Sequence, residues 1–112
     1  MLDNAQKTST GLDANVAAAL SYAFGWVTGL AFLVIEKDNR FVRFHAMQST
    51  IAFATLSLGF VLLQSIPLLG MLLSVFIVIP ASALIWLLMM FKAYQGERFK
   101  LPFVGDMAEQ RI

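Results

Sequence analysis

The sequence contains no cysteine, and charged residues make up only 13% of its 112 positions. Without cysteine the chain cannot form a disulfide, a thiolate nucleophile or a cysteine-based metal site. A soluble domain is about a quarter charged and about 45–50% apolar, whereas this chain is 59% hydrophobic. The composition therefore predicts a membrane protein, and the length allows a single membrane domain, 1–112.

Residue types that catalysis and metal binding need are also scarce. The chain has one histidine, so a single copy cannot form a two-histidine metal motif. Ser49, His45 and Glu36 could form a hydrolytic set, but no pattern near them predicts an oxyanion hole. Eight Lys and Arg against seven Asp and Glu leave no basic face for nucleic acid. We expect no enzyme activity, no cofactor, no metal and no nucleic-acid partner.

Two long runs without charge dominate the sequence. The first spans 14–35, and the second spans 46–91. A membrane helix needs about 20 apolar residues, so the first run suits one crossing and the second suits two. Pro67 and Gly70 favour a turn over 66–70. The sequence therefore predicts an all-α integral membrane protein with three transmembrane helices, over about 14–35, 46–65 and 71–93.

The loop 36–45 between the first two predicted helices is rich in charge. Asn39 suits a helix N-cap, so we expect a helix from Arg40 that runs along the membrane interface into helix two. Phe41 and Phe44 would sit among acyl chains while arginines reach the headgroups. The segment is either a positively charged anchor with satisfied polar residues or a specific lipid or partner site. The candidate interaction or lipid-contact residues are Arg40, Arg43, His45, Gln48, Asp106 and Glu109.

The C-terminal tail, 94–112, also has a pattern. Apolar and polar side chains alternate over 98–103, which suits an extended strip on the membrane surface, while Gly105 and Asp106 favour a turn or a short helix. One hypothesis is that the tail folds back, so that Asp106 and Glu109 meet Arg40 and Arg43. The rival is that both arginines bind lipid phosphates and the tail is free or disordered.

Orientation follows from the distribution of Lys and Arg. With three crossings, the N-terminal tail shares a side with the 66–70 turn, and that side carries only Lys7. The 36–45 loop, the C-terminal tail and Lys92 at the end of the third predicted helix together carry the other seven bases. The sequence predicts a multi-pass protein of the cytoplasmic membrane, with its N-terminus outside and its C-terminus in the cytoplasm.

Small residues at four-residue spacing mark one face of the first predicted helix. Ser21, Gly25 and Gly29 form a pattern that lets helices approach closely. The face packs either against another helix of the same chain or against a second copy. Pro80 predicts a kink in the third helix.

Three strings resemble a known group of proteins. They are YAFGWVTG at 22–29, FLVIEKDNRFVRFHAMQS at 32–49 and LPFVGDMAE at 101–109. They resemble a widespread family of small, uncharacterised prokaryotic membrane proteins. That family is similar to the small membrane subunit of the chloroplast inner-envelope protein-import translocon. The resemblance implies membership and a link to protein translocation, and it brings no catalytic residues.

Three functions stay open at this point. The first is a structural or assembly subunit of a membrane complex, with a membrane-protein partner or a second copy beside it in the lipid bilayer. The second is a small homo-oligomeric channel or transporter, although no Asp, Glu, Lys or Arg falls at mid-membrane depth to serve a proton pathway. The third is a module that binds anionic lipid.

Overall fold

The computed structural model describes residues 8–112, and the regular structure in that part of the chain is entirely helical. Two short helices come first and a long one follows. A further long helical segment then contains a π-helical turn, and a short helix closes the chain. The bounds are α1, Ala14–Leu20; α2, Trp26–Ile35; α3, Arg40–Leu63; α4, Leu69–Leu73; the π-helical turn, Ser74–Val78; α5, Ile79–Tyr94; and α6, Val104–Gln110.

Two of these segments are long and apolar enough to cross a membrane. They are Arg40–Leu63 and Leu69–Tyr94, which measure about 36 Å and 39 Å at about 1.5 Å per residue. A bend over 64–68 joins them, slightly earlier than the predicted turn at 66–70. The predicted all-α integral membrane fold is confirmed. Helix two begins at Arg40 and not at 46, because the Asn39 side chain accepts a hydrogen bond from the Val42 N–H and caps the helix there.

The first apolar run departs from the prediction of one helix over 14–35. It forms two short helices, α1 and α2, separated by turns over 21–25. Gly25 ends the break with a φ of 62°, a left-handed conformation that glycine adopts without steric cost. The length and apolarity of the run suited a crossing helix, but its backbone is interrupted in the middle.

The two halves of this run form a hairpin. Near its start, the Ser9 N–H donates to the Glu36 carboxylate at 2.8 Å, and Glu36 directly follows α2. At its tip, a Cβ on Gly25 would lie 3.2 Å from Cβ of Phe53. Phe53 is 13 residues along α3 from Arg40, which is about 20 Å at about 1.5 Å per residue. The start and the end of this run therefore both lie at the Arg40 end of α3.

The hairpin brings the N-terminal segment into contact with the 36–45 loop. The N-terminal tail was expected on the side opposite the 36–45 loop, yet Ser9 contacts Glu36 and its Oγ donates to Asp38 at 3.0 Å. Lys7, the base counted for the N-terminal side, lies outside the described residues. We call the end that holds residues 8–13, 36–45 and 94–112 the charged end.

The core lies in the half of the molecule next to the charged end. There α1 packs between α3 and α5, and α2 packs along α3. Beyond the hairpin tip only α3 and the segment Leu69–Tyr94 continue, and most of their large apolar side chains are exposed. Alanines and larger side chains fill the core together, among them Ala17, Ala18, Tyr22, Val42, Met89 and Ala93.

The segment before Pro80 has a local irregularity. A π-helical turn, Ser74–Val78, directly precedes α5, and Pro80 occupies the first turn of that helix. Proline has no N–H to donate within a helix, and π-turns inside α-helices are a common cause of bends. The irregularity predicted near Pro80 therefore takes the form of a π-helical turn.

Candidate functional site

Three polar side chains from two elements meet in the core near the charged end. Tyr22 follows α1, whereas His45 and Gln48 lie three residues apart on one face of α3, and all three are fully buried. The Tyr22 hydroxyl lies 2.7 Å from His45 Nδ1, and Gln48 Nε2 donates to that hydroxyl at 3.0 Å. We call this group the polar cluster.

The polar cluster binds the main chain of the C-terminal tail. His45 Nε2 lies 2.8 Å from the carbonyl oxygen of Glu97. Gln48 Nε2 donates to the carbonyl oxygen of Phe99 at 2.9 Å, and Gln48 Oε1 accepts from the Leu101 N–H at 2.8 Å. The carboxamide of Gln48 thus pairs with the extended tail as a neighbouring strand would. The predicted folding back of the tail is present in the structure, followed by α6 after Phe103.

These bonds fix the hydrogen positions of the polar cluster. A carbonyl oxygen only accepts, so His45 Nε2 carries the hydrogen that goes to Glu97. Neutral His45 then accepts at Nδ1, and the Tyr22 hydroxyl donates to it while accepting from Gln48. Each polar group of the cluster has a partner inside the protein, so the arrangement fastens chain segments to one another.

Aromatic rings enclose the histidine. The ring centroids of Phe41 and Phe44 lie 4.8 Å and 5.2 Å from that of His45, both edge-on. Phe41 is 3% exposed and Phe44 is 0% exposed. The expectation that these two rings sit among acyl chains is therefore wrong, because the tail covers the face of α3 from which they project.

Glu36 anchors the N-terminal segment at the charged end. Its carboxylate accepts from the N–H groups of Ser9, Asp38 and Asn39 at 2.8–3.2 Å. Burial alone would raise the pKa of this carboxyl, but the hydrogen bonds outweigh that effect, and the pKa of Glu36 is lowered below 4.5. The side chain therefore holds residue 9 against the 36–39 loop as an anion.

Arg43 caps the end of α2. Its Nη1 donates to the carbonyl oxygens of Leu33 and Glu36 at 3.0 Å and 2.7 Å. The last carbonyls of a helix have no partner within the helix, and a cation near them also complements the helix dipole. Arg43 is therefore engaged within the protein.

Arg40 stands in a different environment. It is exposed, and within residues 8–112 its Nη1 donates to the main-chain oxygen of Ile112, at 3.4 Å. Arg98 from the tail lies beside it, with Nη2 3.4 Å from the Arg40 carbonyl oxygen. Arg40 and Arg43, the two arginines of the predicted site, thus have different surroundings although they are three residues apart.

The tail carboxylates pair with Lys100, within the tail itself. Lys100 Nζ lies 3.3 Å from Asp106 and 2.8 Å from Glu109. These hydrogen bonds raise the pKa of Lys100 above 10.5 and lower the pKa of Glu109 below 4.5. Asp106 and Glu109 were expected to pair with Arg40 and Arg43. Within residues 8–112 they form ion pairs with Lys100 instead, because this cation of the tail is closer.

The predicted packing residues fall on both sides of the hairpin tip. Ser21 is buried, and its Oγ donates to the Ala18 carbonyl oxygen at 2.6 Å. Gly29 lies at the closest approach of α2 to α3, where an added Cβ would come within 2.6 Å of Thr50 Oγ1. The small residues therefore serve contacts within the chain, although the break at Gly25 removes the continuous face that the spacing predicted.

Four contributors to this end of the molecule were missed in the sequence: Tyr22, Glu36, Arg98 and Lys100. Tyr22 and Glu36 lie inside strings already noted for their resemblance, but a single tyrosine or glutamate gives no signal of its partner. Arg98 and Lys100 were interpreted as part of a surface strip. Their partners depend on how the tail folds, which no spacing encodes.

Comparisons with known proteins place the chain in a family. The sequence profile of the magnetosome magnetite crystal formation protein family matches residues 6–108. A UPF0132 membrane protein of Methanocaldococcus jannaschii is 48% identical over 104 residues, which cover 93% of each chain. A UPF0132 membrane protein of Archaeoglobus fulgidus is 52% identical over 102 residues, which cover 88% of this chain and 94% of the relative. No solved structure matches the chain.

The chain therefore belongs to the magnetosome magnetite crystal formation protein family, and it is similar to these archaeal membrane proteins. The predicted membership in a small membrane-protein family is confirmed. The resemblance to the chloroplast translocon subunit stays a prediction.

Proposed function

We propose that this member of the family is a non-catalytic subunit that organises an assembly within the membrane. The observation that carries the proposal is that the buried polar side chains hydrogen-bond to other segments of the chain. Tyr22, His45 and Gln48 fasten the C-terminal tail, Glu36 fastens the N-terminal segment, and Ser49 fastens the hairpin tip by donating to the Gly25 carbonyl oxygen at 2.9 Å. Groups used in this way build a rigid end and leave no open reactive site among them.

The membrane-embedded surface supports the same proposal. Of the most apolar 18-residue stretch of Leu69–Tyr94, only 6% is buried within the protein. An apolar groove of about 320 Å³ opens beyond the hairpin tip between α3 and α5, lined by Leu56, Phe60, Val78 and Ile79 among others. Such a surface faces lipid or another helix, and helices associate in membranes through close packing.

The proposal includes a topology. The first apolar run is a re-entrant hairpin, and the chain crosses the membrane twice. Six of the seven Lys and Arg of residues 8–112 lie at the charged end, the seventh, Lys92, lies close to it in the last turn of α5, and the 64–68 bend carries none. By the positive-inside rule the charged end faces the cytoplasm. Residues 8–13 and the C-terminal tail then share the cytoplasmic side, as the contact between Ser9 and Glu36 requires.

The name of the family and the translocon resemblance suggest two settings for such a subunit. One is a membrane in which a mineral crystal forms, as the family description states. The other is a protein-translocation complex. Among residues 8–112 no group of three or more His, Cys, Asp or Glu could hold a metal ion, so the proposal assigns the chain a place in an assembly and no iron site.

A channel is the second candidate, and the hairpin favours it. Irregular backbone at membrane depth is tolerated where it is buried in protein or lines a water-filled cavity. At the tip, however, Thr28 Oγ1 donates to the Ser21 carbonyl oxygen at 3.0 Å and accepts from the Phe24 N–H at 3.1 Å. These hydrogen bonds, together with the one that Ser49 Oγ donates to the Gly25 carbonyl oxygen, satisfy these main-chain groups of the tip without water. The assembly function therefore has the stronger support.

Site-specific photo-crosslinking in the membrane tests the proposal. A photoreactive residue replaces Phe76 or Leu84, which are 71% and 69% exposed, and the control replaces Phe53, which is 8% exposed. The assembly proposal predicts a discrete protein adduct from the exposed positions and none from the control. Lipid adducts alone, together with ion or solute flux through proteoliposomes of the pure protein, would instead support the channel.

A further inference from the structure

Two exposed arginines, Arg40 and Arg98, are neighbours at the charged end. Arg98 Nη2 donates to the carbonyl oxygen of Arg40 at 3.4 Å, so the main chain at Arg40 holds the second arginine next to the first. The Arg98 guanidinium carbon also lies 4.9 Å from the centroid of the buried Phe44 ring, a cation–π contact that orients the group. The pair joins the start of α3 to the tail.

Neither arginine has an Asp or Glu carboxylate within 4.0 Å in residues 8–112, because the nearby acidic side chains are engaged elsewhere. Glu97 lies 3.4 Å from Lys92, and Glu109 lies 2.8 Å from Lys100. Within residues 8–112 the Arg40 side chain donates to the main-chain oxygen of Ile112, at 3.4 Å. Each guanidinium carries five N–H donors in a planar fork, so most of the donors of the pair are available.

We propose that Arg40 and Arg98 bind the phosphate group of an anionic lipid headgroup. Arg40 is the first residue of a helix that is long and apolar enough to cross the bilayer, which places the pair at the level of the lipid phosphates. Two guanidinium forks match the oxygens of a phosphate, and charge-assisted bonds of this kind are stronger than neutral ones. The proposal is independent of whether the protein is an assembly subunit.

The structure separates these two residues from the other bases of the charged end. Arg43 donates to the carbonyl oxygens of Leu33 and Glu36, and Lys100 pairs with two acids. Arg40 and Arg98 both act electrostatically on Glu109, whose charge the close Lys100 offsets. The site is therefore a defined pair of arginines and not the whole basic surface.

Lipid retention measured by native mass spectrometry tests the proposal. The full chain is exchanged into detergent with equal amounts of phosphatidylglycerol and phosphatidylcholine. We compare the wild type with Arg40→Gln/Arg98→Gln and with the control Lys37→Gln/Arg111→Gln, which removes the same charge from two other exposed positions. A third variant, Arg40→Lys/Arg98→Lys, keeps the charge and removes the planar fork. Thermal unfolding of each variant shows that it is folded.

The wild type should retain phosphatidylglycerol over phosphatidylcholine. Its apparent affinity should fall about tenfold or more in the Gln/Gln variant, several-fold in the Lys/Lys variant and less than about twofold in the control. An equal loss in the control, or an unchanged Gln/Gln variant, would overturn the site. Inorganic phosphate should not displace the lipid. Full displacement would overturn the lipid as the source of the phosphate, and capture of an acidic peptide in its place would overturn the ligand class.

Discussion

Ser9 and Glu36 lie 27 positions apart in the chain, yet the Ser9 N–H donates to both carboxylate oxygens of Glu36, at 3.0 Å and 2.8 Å. A helix that crossed the membrane between them would separate them by about 30 Å of hydrocarbon. The contact therefore turns the first apolar run into a hairpin and brings the N-terminal segment to the charged end.

Replacing Glu36 tests this contact. In Glu36→Gln one carboxylate oxygen becomes an amide donor that cannot accept from the Ser9, Asp38 and Asn39 N–H groups. A buried donor left unpaired costs about 1–3 kcal/mol, so residues 8–13 should exchange their amide hydrogens faster. Asp38→Asn is the control, since Asp38 is exposed and receives only the Ser9 hydroxyl. Equal exchange in both variants would contradict this function of Glu36.

The same contact should depend on pH. The folded-state pKa of Glu36 lies below its ordinary value of 4.5, so its stabilising contribution is present above about 4.5 and is lost as the pH falls through the lowered value. Hydrogen exchange of residues 8–13, expressed relative to the intrinsic exchange rate at each pH, should therefore rise steeply on acidification below that range. In Glu36→Gln this rise should be absent, and a rise of the same size there would show that another group titrates.

Gln48 should control the attachment of the tail. Gln48→Leu removes the bonds to the Tyr22 hydroxyl, the Phe99 carbonyl oxygen and the Leu101 N–H. Each buried polar group left without a partner costs about 1–3 kcal/mol, so proteases should cleave after Gln95 more rapidly and the melting temperature should fall. Gln64→Leu, at the other end of α3, leaves the tail bonds intact. A tail that stays protected in Gln48→Leu would sink the assignment.

The two glycines of α2 and α3 offer a matched pair of substitutions. In Gly29→Ala the new methyl group would lie 2.6 Å from Thr50 Oγ1 and 2.8 Å from the Ala46 carbonyl oxygen, an overpacking that costs about 1–3 kcal/mol. In Gly59→Ala nothing lies within 4 Å of the new carbon, and the stability should change by less than about 1 kcal/mol. Thermal unfolding in detergent measures both. Equal melting temperatures would show that α2 does not pack closely on α3.

Replacing Arg43 and replacing Arg40 should have different effects on the stability of the protein, although both residues lie in the first turns of α3. Arg43→Gln removes the donors to the Leu33 and Glu36 carbonyl oxygens, and we expect a loss of about 1–3 kcal/mol. Arg40→Gln removes an exposed side chain with one long bond, and the melting temperature should hardly move. A larger effect from Arg40 would mean that the helix cap has been assigned to the wrong arginine.

Local chemistry made part of the fold predictable. Asn39 as a cap, a helix from Arg40 and two crossings joined near Pro67 all follow from residue types that act on their immediate neighbours. The hairpin did not follow, because 22 uncharged residues have the length of one crossing and Gly25 also suits close helix packing. Its interruption depends on contacts with Phe53 and Ser49, which lie on another helix.

The sequence predicted which residues belong to the candidate site better than it predicted the groups that they bind. His45 and Gln48 were selected as polar residues on α3, but what they bind are main-chain groups of Glu97, Phe99 and Leu101, more than 50 positions away. Main-chain acceptors carry no sequence signature, so such pairs leave no pattern. The same reason explains why Arg43 was matched with a carboxylate and binds carbonyl oxygens.

The accessibility of single cysteines in intact cells tests the re-entrant topology most directly. The chain has no cysteine, so one each can be placed at Thr8, Ser65 and Gln110. With the charged end in the cytoplasm, an impermeant thiol reagent added outside should label Ser65→Cys only, and Thr8→Cys and Gln110→Cys should react after the membrane is permeabilised. Labelling of Thr8→Cys from outside while Gln110→Cys stays protected would restore a crossing helix over 14–35 and contradict the hairpin.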